Sequence, residues 1–447
     1  MRHVAAFVMG VLLTGTLLAF ALPPHGFSLF GWFAFVPLLV ASRAKGFAVG
    51  FAGGLAAAAF AAFLDAQGLF LPAGVEDGSP DWIYAGFLLF GVVGGLTVGL
   101  ASAAEKLAAR PWVVAAWAVL FEAGLLAVLP AHLALTQSRS TIFLWMASIT
   151  GIWGVSYFLW MSNLWLATAI SNRSVMVLGC LPAFALLSSD WLPPEQGNLK
   201  VGLIQSRSQD LESLTRLNGL AGSEGAAIVV WPELSGYAAA LGGDTKPFLL
   251  AARQKDQPAF VTTFEEPGTG LPYNVARVFS ASGESPGYRK RKLFAGERAL
   301  HESGNAPSAV FAAGTILGLN ICFDSCYPAI MRDTARLPGV TAILLPTLDP
   351  DTPRGVAQAI HASYTPFRAA ELGIPIIRAD TTSHSMIVDS WGRVLAQAGS
   401  EQDRVMVAGI RPGKRWTFQT VAGDWFLGVL ALTAAYGVVR RRQDSKV

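Results

Sequence analysis

The sequence predicts a polytopic α-helical membrane domain of about eight spans joined to an α/β layered domain inserted before the last span. Three observations predict it: charge is missing from the first part of the chain, apolar runs of membrane length recur there, and β-rich and helical runs alternate afterwards. The 447 residues carry 33 Lys/Arg and 30 Asp/Glu, and only 14% of all positions are charged, against about 25% in an ordinary soluble domain. Residues 1–190 hold seven Lys/Arg and seven Asp/Glu, which leaves 49 of the 63 charges to the last 257 positions. With 53% hydrophobic residues and a mean hydropathy of +0.45, a disordered or purely soluble chain is excluded.

A bilayer core of roughly 30 Å needs about 20 mostly apolar helical residues. Candidate spans run near Val4–Leu22, Phe27–Ala41, Phe47–Leu64, Trp82–Leu100, Trp112–Leu129, Phe143–Ile170, Val175–Ser189 and Trp425–Val439. Ala19-Phe20-Ala21 resembles a signal-peptide cleavage site, but more apolar segments follow directly, so the first run is read as a span. Arg2, Arg43/Lys45, Lys106/Arg110, Arg173 and the basic tail at 441–447 fall on one side; Glu76, Asp77 and Asp81 fall on the other with a lone Arg139. The positive-inside rule makes the first side cytoplasmic and the insert extracytoplasmic. Gly46/Gly50/Gly54 and Gly91/Gly95/Gly99 repeat small residues every four positions, the spacing of a helix-packing seam. Glu122 lies mid-span, where a carboxylate is either functional or a hydrogen-bonded tie between helices.

Between 198 and 413 short β-rich runs appear at Lys200–Gln205, Ala227–Trp231, Ala259–Phe264, Asn274–Phe279, Thr315–Ile321, Ala342–Pro346, Pro375–Ala379, Ser385–Val388 and Val405–Gly409. Amphipathic stretches at Pro247–Asp256, Tyr327–Leu337 and Val356–Leu372 separate several of them, which is the pattern of an α/β domain. A net charge of +3 without a basic stripe makes nucleic acid no partner. Three cysteines, Cys180, Cys322 and Cys326, build no disulfide framework, and no His/Cys spacing marks a metal cage. No metal or organic cofactor is expected.

Three strand ends carry chemistry. Leu319-Asn320-Ile321-Cys322-Phe323-Asp324 is an apolar run rising into a thiol at a sharp turn; at a helix N-terminus the dipole would favour thiolate. Taken alone, a cysteine there is more often a small core residue. Ile228-Val229-Val230-Trp231-Pro232-Glu233 ends on a carboxylate, with a proline stopping the ladder just before it, and Tyr288-Arg289-Lys290-Arg291-Lys292-Leu293-Phe294 places cations after a β-like run. An exposed loop acid and a solvated charge run are their plain readings. Together they supply a nucleophile, a base and a fixed cation for acyl transfer.

These motifs resemble the nitrilase (carbon–nitrogen hydrolase) superfamily, and specifically its apolipoprotein N-acyltransferase family, over nearly the whole chain. That resemblance implies an αββα sandwich for 198–413, a final span at 424–440 and a Glu–Lys–Cys triad: W-P-E supplies Glu233, Y-x-K-x-x-L supplies Lys290 and I-C-F-D supplies Cys322. Glu297, Phe323 and Asp324 stand as supporting residues. Phe323-Asp324 occupies the place of a usual Tyr-Glu, and the loop before Glu297 is one residue short of the family's and lacks its proline. Arg368 and Glu371, in the later helix-to-strand segment, are read as structural. What the resemblance implies is transfer of a phospholipid acyl chain, through a Cys322 thioester, to the α-amino group of a diacylglyceryl apolipoprotein, at the periplasmic face of a bacterial inner membrane with both termini cytoplasmic. A membrane-tethered amidase and a non-catalytic lipoprotein-binding scaffold are the alternatives. Cys326 is either a buried spectator or an oxidation partner of Cys322, and His361 and His384 are candidate pocket or hydrogen-bonded residues.

Overall fold

A computed structural model describes residues 2–67, 79–103, 110–126, 128, 130, 132–172, 180–399 and 403–444. Glu76, Asp77, Lys106, Arg173 and the first residues of the Val175–Ser189 run lie outside them. The chain divides into two compact units, one of Met1–Trp191, Asp351–Ile360 and Asp424–Val447, the other of Leu192–Pro350 and His361–Gly423.

In the first unit, the helices Arg2–Ala21, Phe47–Ala66, Asp81–Ala103 and Thr141–Ser171 are each long and apolar enough to cross a membrane. Ser28–Ser42, Pro111–Leu125 and Trp425–Val439 are apolar but shorter. The expected run Phe27–Ala41 is not one helix: it breaks into a 3₁₀ turn, Ser28–Trp32, and a helix, Val36–Ser42. Pro37 sits in the first turn of that helix, where its missing N–H costs nothing. Within Thr141–Ser171, Gly151 takes φ +69° and ψ 179° and kinks the helix, a conformation glycine reaches without a Cβ penalty.

The glycine seam holds at Gly50, Gly54, Gly91, Gly95 and Gly99 but not at Gly46, which precedes the helix and has nothing within 4 Å of its would-be Cβ. A Cβ built on Gly54 would lie 2.4 Å from the Gly95 nitrogen, and one on Gly50 would lie 2.8 Å from the Gly99 Cα. Backbone therefore meets backbone between Phe47–Ala66 and Asp81–Ala103, as small-residue repeats permit. Glu122 is fully buried and ties elements together: it accepts from the Leu133 amide at 3.0 Å and from Trp160 Nε1 at 2.8 Å, and faces His132 Nδ1 at 3.3 Å. Asn163 works in the same way, accepting from the Phe35 amide at 2.8 Å and donating to the Gly31 and Leu159 carbonyls at 2.9 Å.

The second unit is built on two sheets. Its strands in chain order are β1 (Leu199–Gln205), β2 (Ile228–Val230), β3 (Ala259–Glu266), β4 (Tyr273–Ser280), β5 (Gly283–Glu284), β6 (Tyr288–Arg289), β7 (Ser308–Ala312), β8 (Thr315–Leu319), β9 (Val340–Pro346), β10 (Ile376–Ala379), β11 (Met386–Val388), β12 (Val394–Gln397) and β13 (Arg404–Ile410). One sheet runs β13-β1-β2-β3-β4-β5 with β6 on β4; the other runs β12-β11-β10-β9-β8-β7. β1, β2 and β3 are mutually parallel, as are β8, β9 and β10. Both parallel cores read as continuous apolar runs because they are covered on both faces.

The sheets face each other, with β2 across from β9 and β10. Helices Leu211–Ser223 and Lys246–Ala252 cover the first sheet, and Pro328–Arg336 and Tyr364–Leu372 the second, giving the αββα sandwich. Under the first sheet Trp231 stacks on Phe260 at 4.0 Å and 6° and donates its Nε1–H to Asn218 Oδ1 at 2.9 Å. Burying one such ring stabilises by roughly 1.5–3 kcal/mol. The stack also fixes the strand end from which Glu233 leaves.

Candidate active site

Each candidate side chain leaves the end of a strand, where open α/β sheets keep their ligand crevices. Glu233 follows β2 after Trp231-Pro232, and its amide is pinned to the Thr347 carbonyl at 3.1 Å. Lys290 follows β6, its own amide and carbonyl held by Asn274 and Gly304. Cys322 opens a single 3₁₀ turn, Cys322–Cys326, just past β8. There it has φ +46°, a left-handed backbone that a non-glycine residue keeps only when its surroundings hold it.

Asp324 does much of that holding. Fully buried, it accepts from the Ile321 amide at 3.0 Å, the Lys292 amide at 2.8 Å and the Tyr288 hydroxyl at 2.7 Å. The shorter acid thus bridges the nucleophile turn to the lysine segment. Phe323 beside it packs edge-on against Phe294 at 5.1 Å and Tyr327 at 5.3 Å.

The structure brings Glu233, Lys290, Glu297 and Cys322 together. Lys290 Nζ donates to Glu233 Oε1 at 2.8 Å and to Glu297 Oε1 at 2.6 Å. Glu233 also accepts from Asn274 Nδ2 at 2.6 Å and, through Oε2, from the Leu348 amide at 2.9 Å. Glu297 turns its second oxygen back to the Phe294 amide at 2.7 Å, so the short loop before it is closed by its own acid. Lys290 and Glu233 are each 1% exposed and Cys322 5%. A buried ion pair of this kind needs every remaining valence filled to be tolerated, and here the carboxylate takes three donors.

Burial pushes Glu233 up, with Lys290 opposing and Glu297 adding to the rise. Burial works against the Lys290 ammonium, but Glu233 and Glu297, and Cys322 once it ionises, outweigh it and hold the group well above its ordinary value. Cys322 departs from the helix-dipole expectation. Burial, then the Glu233 charge, push its thiol well above the usual range despite Lys290. The turn that carries it is 3₁₀, and the α-helix begins only at Pro328, so no dipole compensates for the lost water. The resting group is a thiol.

Also against the thiol lies a second charged group that sequence reasoning did not assemble. Cys322 Sγ faces the Leu348 carbonyl at 3.7 Å and Asp349 Oδ1 at 3.8 Å. Asp349 pairs with His361 Nδ1 and with Arg378, and Arg378 pairs also with Asp380 at 2.8 Å. His361 Nε2 meets Ser325 Oγ at 2.9 Å, and the Ser325 hydroxyl donates to the Cys322 carbonyl at 2.8 Å. Despite its burial, Asp349 raises His361 to about 10, an imidazolium in the resting site. Asp349 itself stays well below the carboxylate range: burial opposes this, and the His361 and Arg378 charges prevail.

The signal for Asp349 was the one that found Glu233, an acid just past an apolar strand. Arg378 stood out as a charge inside an apolar one. His384 meets Gln397 through Nδ1 at 3.3 Å, and its carbonyl accepts from Arg378 Nη1 at 3.1 Å. Arg368 and Glu371 form a fully buried pair at 2.8 Å within one helix, in keeping with a structural reading. Cys326 is buried.

Residues 194–415 match the family model for carbon-nitrogen hydrolases. An apolipoprotein N-acyltransferase of Geobacter metallireducens is 27% identical over 96% of this chain and 94% of its own length. Another from Photobacterium profundum is 25% identical over 66% of each chain. An (R)-stereoselective amidase of Pseudomonas sp is 29% identical but spans only 47% of this chain and 84% of its own. With strand-end Glu, Lys and Cys meeting inside an αββα sandwich, residues 194–415 form a carbon–nitrogen hydrolase, or nitrilase-like, domain, and the chain is similar along nearly its whole length to apolipoprotein N-acyltransferase.

Proposed function

We propose that this chain is an apolipoprotein N-acyltransferase whose triad is Glu233, Lys290 and Cys322, with Glu297, Phe323 and Asp324 in support. The observation that carries the reading is the buried Glu233–Lys290 pair against a thiol held protonated until attack. As Cys322 Sγ bonds to the ester carbonyl of a phospholipid, its proton passes to Glu233 and the oxyanion forms beside the Lys290 ammonium. Collapse breaks the ester C–O bond. The leaving lysophospholipid oxygen takes the proton from Glu233, and a thioester remains. The α-amino group of a diacylglyceryl-cysteine then attacks that thioester, Glu233 accepts its proton, and the thiol returns as the amide forms.

Transfer to an amine is favoured over hydrolysis by the extent of the similarity. The amidase relative spans only 47% of this chain, whereas the acyltransferase relative spans 96% and so takes in the apolar part as well. A site tethered at a bilayer receives lipid substrates without drawing chains into water, at about 0.8 kcal/mol per CH₂. The Lys/Arg distribution supports a bacterial inner membrane location with the insert on the periplasmic side and both termini cytoplasmic.

The test is incubation of the purified protein with phospholipid labelled in its acyl chain, followed by a diacylated lipopeptide. Label held on Cys322 and then moved to the peptide amine is the expected result. Release as free fatty acid would make the protein a hydrolase. Equal behaviour of wild type and Cys322→Ala, with no adduct, would leave a lipoprotein-binding scaffold.

A further inference from the structure

We propose that Cys322, Asp349 and His361 form a binding site for a thiophilic divalent cation of the zinc class, and that occupation of this site switches the nucleophile off. The Cys322 sulfur, an Asp349 oxygen and a His361 nitrogen all lie within 4.8 Å of one another. What makes this more than proximity is where the other atoms of each ligand go. Asp349 Oδ2 is taken by Arg378, which is balanced in turn by Asp380 at 2.8 Å. His361 Nε2 is taken by Ser325, whose hydroxyl is anchored on the Cys322 carbonyl. That leaves Asp349 Oδ1 between two groups, 2.5 Å from His361 Nδ1 and 3.8 Å from Cys322 Sγ. Metal sites orient imidazole and carboxylate ligands through outer partners of this kind.

The spacing suits a tetrahedral ion. Bonds of 2.0–2.3 Å to N, O and S put ligand atoms about 3.3–3.7 Å apart. Sγ to Oδ1 is already 3.8 Å, and Nδ1 to Oδ1, at 2.5 Å, need only open where the ion replaces the shared proton. One thiolate, one imidazole and one carboxylate select a borderline-soft dication over Mg²⁺ or Ca²⁺, which demand oxygen. Binding is a proton exchange: the cation takes the sulfur lone pair and the Nδ1 lone pair, and the thiol and the imidazolium each release one proton. The ion's two charges meet the thiolate and the Asp349 carboxylate. Coordination draws the sulfur's charge onto the cation and so lowers its nucleophilicity toward a carbonyl. Only the effect on turnover rests on Cys322 being the nucleophile.

Cobalt(II) is the probe, added to the full-length protein in detergent micelles. One equivalent should give a thiolate-to-cobalt charge-transfer band in the near ultraviolet, released by Zn²⁺, with two protons liberated per ion bound. Cys326→Ser should keep the band and Cys322→Ser should lose it. His361→Gln should weaken binding by at least about 10–100-fold, the loss that follows even from removing an outer partner. One equivalent of Zn²⁺ should slow iodoacetamide alkylation of Cys322, read by peptide mass, far more in wild type than in His361→Gln. Wild-type protein already alkylated on Cys322 must bind no cobalt, a control that needs no variant to fold. A band that survives Cys322→Ser or prior alkylation, equal zinc protection in His361→Gln, or no band in wild type would overturn the site. Neither cobalt nor alkylation readout requires acyl transfer, so failure here is separable from failure of the acyltransferase reading.

Discussion

Glu233→Gln is the sharpest probe of the proposed chemistry, because it removes a charge and a base while leaving the shape nearly intact. The wild-type carboxylate accepts from Lys290 Nζ, Asn274 Nδ2 and the Leu348 amide. A glutamine can keep its oxygen toward Lys290 and Asn274, but its –NH₂ then faces the Leu348 N–H, donor against donor. The structural loss is one hydrogen bond to a charged group, about 1.5–3 kcal/mol. It is partly offset because Glu233 and Glu297 no longer repel across Lys290 and because an amide is easier to bury than a carboxylate. Lys290 retains Glu297 at 2.6 Å, so the variant should fold.

The kinetic loss is larger. Removing a positioned general base costs about 10²–10⁴-fold, or roughly 2.7–5.4 kcal/mol of barrier at 1.36 kcal/mol per decade. The assay is the rate of thioester formation on Cys322 from labelled phospholipid, across pH, beside a thermal melt. Burial places Glu233 above the ordinary carboxylate value of 4.5, so the wild-type rate should climb on a limb lying above that pH, and the limb should vanish in the variant. Stability moves the other way. A carboxyl whose folded pKa is raised contributes stability that is complete below 4.5 and is lost as pH rises through the folded value. Thioester formation within tenfold of wild type, or an unchanged acid limb, would refute Glu233 as the base.

Lys290→Met should cost roughly 3–5 kcal/mol, read as a lower melting temperature beside wild type, because it strands two carboxylates that the ammonium holds at 2.8 and 2.6 Å. Gly54→Ala puts a methyl 2.4 Å from the Gly95 nitrogen and should destabilise the detergent-solubilised protein by about 1–3 kcal/mol. Gly124→Ala, with nothing within 4 Å, should be neutral or stabilising by up to about 1 kcal/mol, and equal melts for the two would remove the packing seam. Asp380 is raised to about 7 by burial and by Asp349 against Arg378, so stability should fall as pH rises through 7, and Asp380→Asn should flatten that slope in melts at pH 6 and 8.

The sequence was most legible where a strand end announces itself. An apolar run closed by Pro232 leaves Glu233 nowhere to go but the sheet edge, and the same logic found Cys322. It was least legible where a contact depends on strand register. Arg378 pairs with Asp349 because parallel β9 and β10 set Arg378 opposite Leu345, four residues before the acid. Nothing local in either segment names the other. β5, β6, β7 and β12 went unseen: β5 and β6 are two residues each, and Phe311 of β7 is 77% exposed, so none shows a buried pattern. The helix Leu211–Ser223 was readable and missed. Its Leu211, Leu214, Leu217 and Leu220 recur every third residue, and Asp210 caps it through the Ser213 amide at 2.8 Å. The expectation of a thiolate failed for a different reason, since burial and a neighbouring carboxylate are tertiary facts.

That failure bears on the chemistry. Proton transfer from thiol to carboxylate depends on the gap between their pKa values, not on either alone. Burial raises both Glu233 and Cys322, so the sulfur stays protonated at rest, while the base that must accept its proton is strengthened too. Lys290 stands to gain most from charge that is not yet there: its ammonium is already shared by two carboxylates at rest, and an oxyanion formed beside it would add a third negative partner in a site closed to water. A buried ion pair seldom repays its desolvation as stability. Keeping two of them around one cysteine, Glu233–Lys290 and Asp349–Arg378, is therefore better explained by work done on that sulfur than by the needs of the fold.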